Sequence, residues 1–319
     1  MRTILPLLIW AAAATAGTSF RAQEIQRDFG VVYAVLVADI NGDGKPDVVA
    51  INPTQVVWFE NPSWEKHVIL DGGTKKDNVC VAAADIDGDG KPELIVAPLQ
   101  GRGTKGPQWD GKGARLLVFH IPKDPAHDAW PVEVADDSLH ILHNFLITDF
   151  DGDGQQDILT ASREGIHVLT RNPDGKWTKM KIGEGAPGEI KMGRIGGKRY
   201  LATVEPWHGN SIVIYEEHSG IWPRRVIEDG LAGAHAIGWG DFDGDGNDEL
   251  AVGWREKNFG VAVYKRASDG SWTKSMVDDG GMAAEDLAVA DLNGDGRPEI
   301  IAVGRATANV KIYWNEGAK

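Results

Sequence analysis

Cysteine is almost absent from this chain of 319 residues: Cys80 stands alone, so no intrachain disulfide can form. The stapling that exported domains often take from disulfides has to come from elsewhere. Long apolar runs are equally scarce. Beyond residue 16 none approaches the ~20 residues that a spanning helix needs, so membrane insertion is not expected. Basic residues are outnumbered, 33 against 47 acids, for a formal net charge of −14. That balance argues against a nucleic acid or an anionic membrane as partner. Neither a Gly-x-Ser-x-Gly nucleophile elbow nor a phosphate-binding glycine loop occurs, which removes two large enzyme classes from consideration.

What is plentiful is aspartate in a fixed frame. Five segments share nine positions: Asp39-Ile-Asn41-Gly-Asp43-Gly-Lys-Pro-Asp47, Asp85-Ile-Asp87-Gly-Asp89-Gly-Lys-Pro-Glu93, Asp149-Phe-Asp151-Gly-Asp153-Gly-Gln-Gln-Asp157, Asp241-Phe-Asp243-Gly-Asp245-Gly-Asn-Asp-Glu249 and Asp291-Leu-Asn293-Gly-Asp295-Gly-Arg-Pro-Glu299. Side-chain oxygens at positions one, three, five and nine, with glycines at four and six for a tight turn, match the needs of a hard cation with six to eight oxygen ligands. Calcium is the expected ion at each loop. An EF-hand opens the same way but places a bidentate Glu at position twelve between helices. Here position twelve is Ala50, Val96, Thr160, Val252 or Ala302, and the last acid leads into β-branched runs such as Ile300-Ile301-Ala302 that read as strands. Without an ion, three or four carboxylates per loop would repel one another. The ligand positions of the loops hold 18 of the acids, and five divalent ions would bring the net charge to about −4.

Spacing then sets the architecture. The first aspartates are 46, 64, 92 and 50 residues apart, and 92 is twice 46. A degenerate unit is therefore expected between the third and fourth loops, where Gly193-Arg-Ile195-Gly-Gly-Lys-Arg-Tyr200 fills the place with its acids deleted. Trp64, Trp130, Trp177, Trp222 and Trp272 each mark the start of an outer strand, and Phe20 begins a sixth copy at the N-terminus. Repeats of 40 to 50 residues with four short strands mean propeller blades. The expected fold is all-β: a six-bladed β-propeller of four-stranded blades, closed by an N-terminal outer strand, with calcium loops in the first hairpin of five blades. Closure of this kind removes unpaired sheet edges.

With these nine-residue loops the chain resembles the FG-GAP or VCBS repeat family, over essentially all of residues 20 to 319. The resemblance implies a propeller with calcium between the first and second strands of its blades. It covers integrin-type propellers, adhesins, lectins and parts of sugar lyases, so it implies fold and metal rather than an activity.

Arg2 followed by the apolar stretch to Ala16 has the charged start, short core and A-x-A site of a secretory signal peptide. Residues 1–16, with cleavage as late as 22, are expected to be removed on export to the periplasm or medium. A single propeller domain over 17–319 follows, with a glycine-rich insertion in blade two near 99–114 that carries Trp109 and reads as a lid, a sugar-stacking platform or a tolerated surface insertion.

The loops mark one end of the propeller, so the opposite end, the top, is the place to look for a site. Six positions before each first aspartate stand Tyr33, Val79, His143, His235 and Glu285, and the degenerate unit, aligned without a gap, adds Glu189. Six positions after each ninth residue stand Pro53, Leu99, Arg163, Arg255 and Arg305, with Glu205 at the matching place in the degenerate unit. Two histidines, two glutamates, three arginines and a further glutamate around an axis make a candidate site, because burying such charges without a task is costly. In one reading His143, His235, Glu189 and Glu285 hold a transition metal such as zinc or manganese. In another, one histidine is a general base and the arginines clamp a developing oxyanion. In a third, the charges compensate one another in a wet channel. Trp207 and His208 lie near the same end, whereas His67, His120, His167 and His218 are expected to be solvated on outer strands or turns.

The segment Val56-Val-Trp-Phe-Glu-Asn-Pro62, with Trp64, His67 and the top histidines, is similar to the propeller part of the aldos-2-ulose dehydratase family. That resemblance implies metal-assisted β-elimination or dehydration of a carbohydrate; without the family's cupin segments its isomerase activity is not implied. The rival expectation is a non-catalytic adhesin or lectin-like module for a glycan or protein.

Overall fold

The structure is a computed structural model that describes residues 18–38, 43–52, 55–71, 78–88, 93–98, 111–120 and 131–318. The expected signal segment, Asp39, Asn41, Pro53, Asp89, Leu99, Trp109 with most of its insertion, and Trp130 lie outside these residues. Among the described residues there is no helix.

The strands pair into six four-stranded antiparallel sheets. Blade one is Ala34–Ala38, Asp47–Ile51, Gln55–Glu60 and Glu65–Asp71, and blade two is Asn78–Ala84, Glu93–Pro98, Leu116–Phe119 and Val132–Asp136. Blade three runs Leu142–Thr148, Asp157–Ser162, Gly165–Arg171 and Trp177–Gly183, and blade four runs Glu189–Ile195, Lys198–Glu205, Ser211–Glu216 and Arg224–Asp229. Blade five is Ala234–Gly240, Glu249–Trp254, Gly260–Arg266 and Trp272–Asp279. Blade six joins both ends of the chain: Ala284–Ala290, Glu299–Gly304 and Asn309–Ala318, then Thr18–Arg27 as its outer strand. Inner strands of consecutive blades touch, and that of blade six touches that of blade one.

Burial explains why these short runs are apolar on both sides. Every residue of Glu249–Trp254 and Glu299–Gly304 is buried, whereas Trp272–Asp279 is exposed along most of its length. A blade presents both faces to neighbours, so its middle strands cannot alternate polar with apolar. Apolar clusters are shared by blades two and three, three and four, four and five, five and six, and six and one. Five junctions have a described apolar core, and contact between the inner strands is what the described residues show where blades one and two meet.

The tryptophan markers also need correction. Trp177 and Trp272 do begin outer strands. Trp64 stands before its strand in a left-handed conformation, φ 58°, and Trp222 precedes Pro223 and the strand that opens at Arg224. Proline cannot donate to a ladder, so pairing begins after it. Their packing across blades is plain all the same: Trp222 stacks on Phe150 with ring centroids 5.5 Å apart, and Phe20 meets Phe242 edge-on at 5.6 Å.

Candidate metal and acid-base site

At the loop end, four of the hairpins are closed by the ninth residue of their loops. Glu93, Asp157, Glu249 and Glu299 accept the backbone N–H of position two in their own loops at 2.8 to 3.0 Å. Position one takes the next N–H groups: Asp149, Asp241 and Asp291 accept from the glycines at positions four and six. In blade three Asp149, Asp151 and Asp157 bring one oxygen each within 4.8 Å of the others. That oxygen-only donor set on a preformed turn fits calcium. Blade four replaces the loop by a two-residue turn, with Ile195 paired to Lys198 and Gly196 and Gly197 both at positive φ.

At the other end, the inner strands are irregular at one register. The pairing slips between Asn78 and Cys80, Leu142 and Asn144, Ala234 and Ala236, and Ala284 and Asp286. The residue left out each time is Val79, His143, His235 or Glu285, the position that counting back from the loops singles out. A bulge bends its strand and re-aims the extra side chain, and bulges collect beside functional sites. The following tier is fixed as regularly: the N–H groups of Arg163, Arg255 and Arg305 donate to the carbonyls of Ile141, Gly233 and Ala283 at 2.9 to 3.1 Å.

Three imidazoles meet there. His143, His208 and His235 each offer a ring nitrogen within 4.8 Å of the others, and their ring centroids are 4.6 to 4.9 Å apart. His143 and His235 are buried, and His208 is exposed. His143 Nδ1 donates to the carbonyl of Gly188 at 2.6 Å, and His235 Nδ1 donates to that of Glu285 at 2.5 Å. A carbonyl only accepts, so both rings carry their proton on Nδ1 and turn a lone pair on Nε2 inward. His143 Nε2 faces His208 Nε2 at 2.7 Å, and His235 Nε2 is buried with no hydrogen-bond partner. Burial, and then the nearby His143 ring and the Arg255 guanidinium, hold His235 well below the usual imidazole range. His208 is pushed down for the same kinds of reason, with Arg305 adding to them.

The carboxylates are arranged around this cluster rather than in it. Glu189 Oε1 lies 3.3 Å from His143 Nδ1 and 3.9 Å from His235 Nδ1, and its other oxygen accepts from Asn144. Glu285 is held between Arg255 and Arg305, the latter at 3.0 Å and half exposed. The four-ligand set of two histidines and two glutamates is therefore not what converges. His208 joins the two histidines, Glu189 lies beside their Nδ1 atoms, and the Glu285 carboxylate is taken up by Arg255 and Arg305. Glu205 is elsewhere: it accepts from Thr203 and Tyr215 and pairs with Arg224 at 2.7 Å. Arg163 is exposed.

His208 is missing from the repeat register because it comes from a connection, not a strand. It follows Trp207 in the turn after Lys198–Glu205, with φ 54°. Gly188 makes room for it. A Cβ there would stand 3.2 Å from Trp207 Cδ1 and 3.3 Å from His208 N. Among the other histidines, His218 is exposed and His67 stands on the outer strand Glu65–Asp71, as expected, while His167 departs from expectation. His167 is buried in its third strand, the His67 ring stacks on Trp58 at 4.4 Å, and His120 Nδ1 lies 3.4 Å from Glu93 Oε1.

A family model for the FG-GAP-like repeat matches residues 39–96 and 241–302. A second, for the aldos-2-ulose dehydratase beta-propeller domain, matches residues 105–218. The chain thus carries FG-GAP-like repeats together with a segment similar to the dehydratase propeller. Among curated proteins, aldos-2-ulose dehydratase of Phanerodontia chrysosporium is 25% identical over 265 residues, covering 68% of this chain and 27% of that protein. The chain spans about a quarter of that relative's length. An Agrocybe aegerita lectin that recognises non-reducing terminal N-acetylglucosamine is 17% identical with a TM-score of 0.52, over 90% of this chain and 78% of the lectin. An auxiliary nutrient binding protein from Bacteroides ovatus is 10% identical with a TM-score of 0.58, over 94% of this chain and 78% of its own. Both likenesses are likenesses of fold.

Proposed function

We propose that this chain is an exported, calcium-stabilised propeller that eliminates water from a sugar derivative at its top face, with a divalent transition metal held by His143, His208 and His235. The observation that carries the reading is the buried, unpartnered Nε2 of His235 beside two further imidazoles, with Nδ1 of His143 and His235 tied to backbone carbonyls. Carbonyl partners on the outer nitrogens are the usual way a protein orients metal-ligating histidines, and three imidazoles with an open position suit a catalytic zinc. Such an ion polarises a carbonyl and makes the adjacent C–H easier to deprotonate. The resemblance to the dehydratase propeller supports a carbohydrate derivative as the substrate.

The chain's own groups divide the remaining work. Glu189 fixes the orientation of His143 and Asn144. Glu285 neutralises part of the charge of Arg255 and Arg305, and its backbone carbonyl orients His235. Half-exposed Arg305 is placed to meet a substrate oxygen at the rim. Trp207, 4.7 Å from the His208 ring and 5.9 Å from that of His143, forms the apolar side of the cleft.

Elemental analysis and turnover together test this. Wild type is expected to hold one equivalent of a transition metal in addition to calcium and to convert a keto-sugar or a uronate polysaccharide. His143→Ala, His208→Ala and His235→Ala each lose that metal and about 100-fold or more of the activity. Transition-metal content that is zero in wild type, or equal in wild type and all three variants, would sink the metal reading. Glycan binding that survives all three substitutions, with no product from any substrate, would make the protein a binding module instead.

A further inference from the structure

The five acidic loops carry nearly the same ligands, but the third strand places a different residue beside each. The register sets which one. Val48 pairs with Phe59, Leu94 with Phe119, Ile158 with Leu169, Leu250 with Tyr264 and Ile300 with Tyr313. The next residue toward the loop, abreast of position nine, is therefore Glu60, His120, Thr170, Lys265 or Trp314. In blade six the Trp314 indole turns away to donate to Gln23 at 2.8 Å. In blade three Thr170 brings a hydroxyl to Asp157.

In blade two His120 Nδ1 lies 3.4 Å from Glu93 Oε1 and 3.7 Å from Asp87 Oδ2, two of that loop's ligands, and blade five goes further. The Lys265 ammonium pairs with Asp243 and lies 2.7 Å from Asp245 Oδ2 and 3.1 Å from Glu249 Oε1. Those are positions three, five and nine of the loop. The carboxylate at position one, Asp241, accepts the N–H groups of Gly244, Asp245 and Gly246, as Asp291 does in blade six, so the difference lies in Lys265 alone. Lys45 and Arg297 also touch their loops, but each pairs from within the loop with position five, Asp43 or Asp295. Lys265 reaches across from the neighbouring strand and bridges three ligand residues. An ammonium has three donors, one for each carboxylate, and three charge-assisted bonds in one place make it a competent substitute for a small cation.

We propose that Lys265 is the resident cation of the blade-five loop, so that this clasp closes on the chain's own ammonium and excludes calcium where the other loops take it. The inference rests on the calcium reading of those other loops and is independent of the top site. A loop with a built-in counter-ion keeps blade five closed when calcium is low, next to the one blade whose hairpin has no acidic loop at all. Blades four and five then form a calcium-independent part of the ring.

The test compares wild type with Lys265→Gln by calcium titration of the folded, calcium-stripped proteins, with equivalents counted by calorimetry and elemental analysis. The variant is expected to take up one more calcium per chain than wild type. Equal counts overturn the proposal. Equal counts of zero remove the calcium reading of all the loops as well, which distinguishes the two failures. If the Gln variant does not fold, amine labelling of the wild-type protein decides. Lys265 stays protected in millimolar calcium under the proposal, and labelling that appears on adding calcium shows that the ion displaces it and refutes the idea.

Discussion

Asp286 follows the bulged Glu285 and is nearly closed off from solvent, 9% exposed. It accepts the N–H of Val35 in the neighbouring blade and that of Leu287, both at 2.9 Å, and it feels Lys191 and Glu189 of blade four. Two backbone donors do not offset the loss of water, so burial pushes its carboxyl up to about 7. Unfolded, the same group titrates near ~3.9. The native state thus binds the proton more tightly, and the stability this contributes is present below pH ~3.9 and lost as pH rises toward 7. Asp286→Asn is expected to flatten that part of the stability profile. Denaturant melts of both proteins at pH 4, 5.5, 7 and 8 check it. Parallel curves for wild type and variant would rule out Asp286 as the source.

At the scale of one element, the hairpin of blade four shows what the missing loop requires. A two-residue connection between twisted strands needs both central residues at positive φ, and Gly196 and Gly197 take φ 57° and 75°. Nothing lies within 4 Å of a Cβ built on either, so a substitution there meets backbone strain and no clash. Gly197→Ala is expected to cost about 1 kcal/mol and to lower Tm by about 2 to 4 °C, whereas Gly196→Asn, which suits the left-handed region, is expected to cost less. A calorimetric scan in which both variants melt with wild type would mean that the turn has another conformation in solution. This hairpin was legible because two glycines stand where a nine-residue loop is deleted. The bulges were not, since nothing in the sequence marks the extra residue. Counting from the loops found the side chains they present, His143, His235 and Glu285, because insertion at a constant register leaves the count intact. His208 escaped the same ruler. It lies on a connection whose length no repeat fixes, and its only signals were the nearby Trp207 and the top-face position. Glu205 shows the converse error: it holds a repeat position, but Tyr215 and Arg224 draw its carboxylate to another side of the strand.

For the whole molecule, the period of the acidic loops carried the fold, since each loop must end one strand and begin the next. The junctions were less legible, because a strand buried on both faces does not show which neighbour it packs against. Closure depends on residues that are farthest apart in sequence. Thr18–Arg27 pairs along Asn309–Ala318, with Arg21 opposite Trp314, Ala22 opposite Tyr313 and Gln23 opposite Ile312. Gln23 Oε1 accepts the Trp314 indole N–H at 2.8 Å, and Phe20 covers Phe242 of the neighbouring blade. Removing residues 18–27 would leave the ten-residue strand Asn309–Ala318 as an open edge with two aromatic rings uncovered. An open, apolar edge recruits other chains, and loss of closure uncouples blade six from the rest of the ring. The truncated protein is expected to melt at lower temperature over a broader transition and to scatter light at micromolar concentration. A synthetic peptide of residues 18–27, added in trans, should restore part of the lost Tm by supplying the strand, in proportion to its concentration. A truncated protein that stays monomeric and melts with wild type would show that the strand pairing does not hold the ring shut.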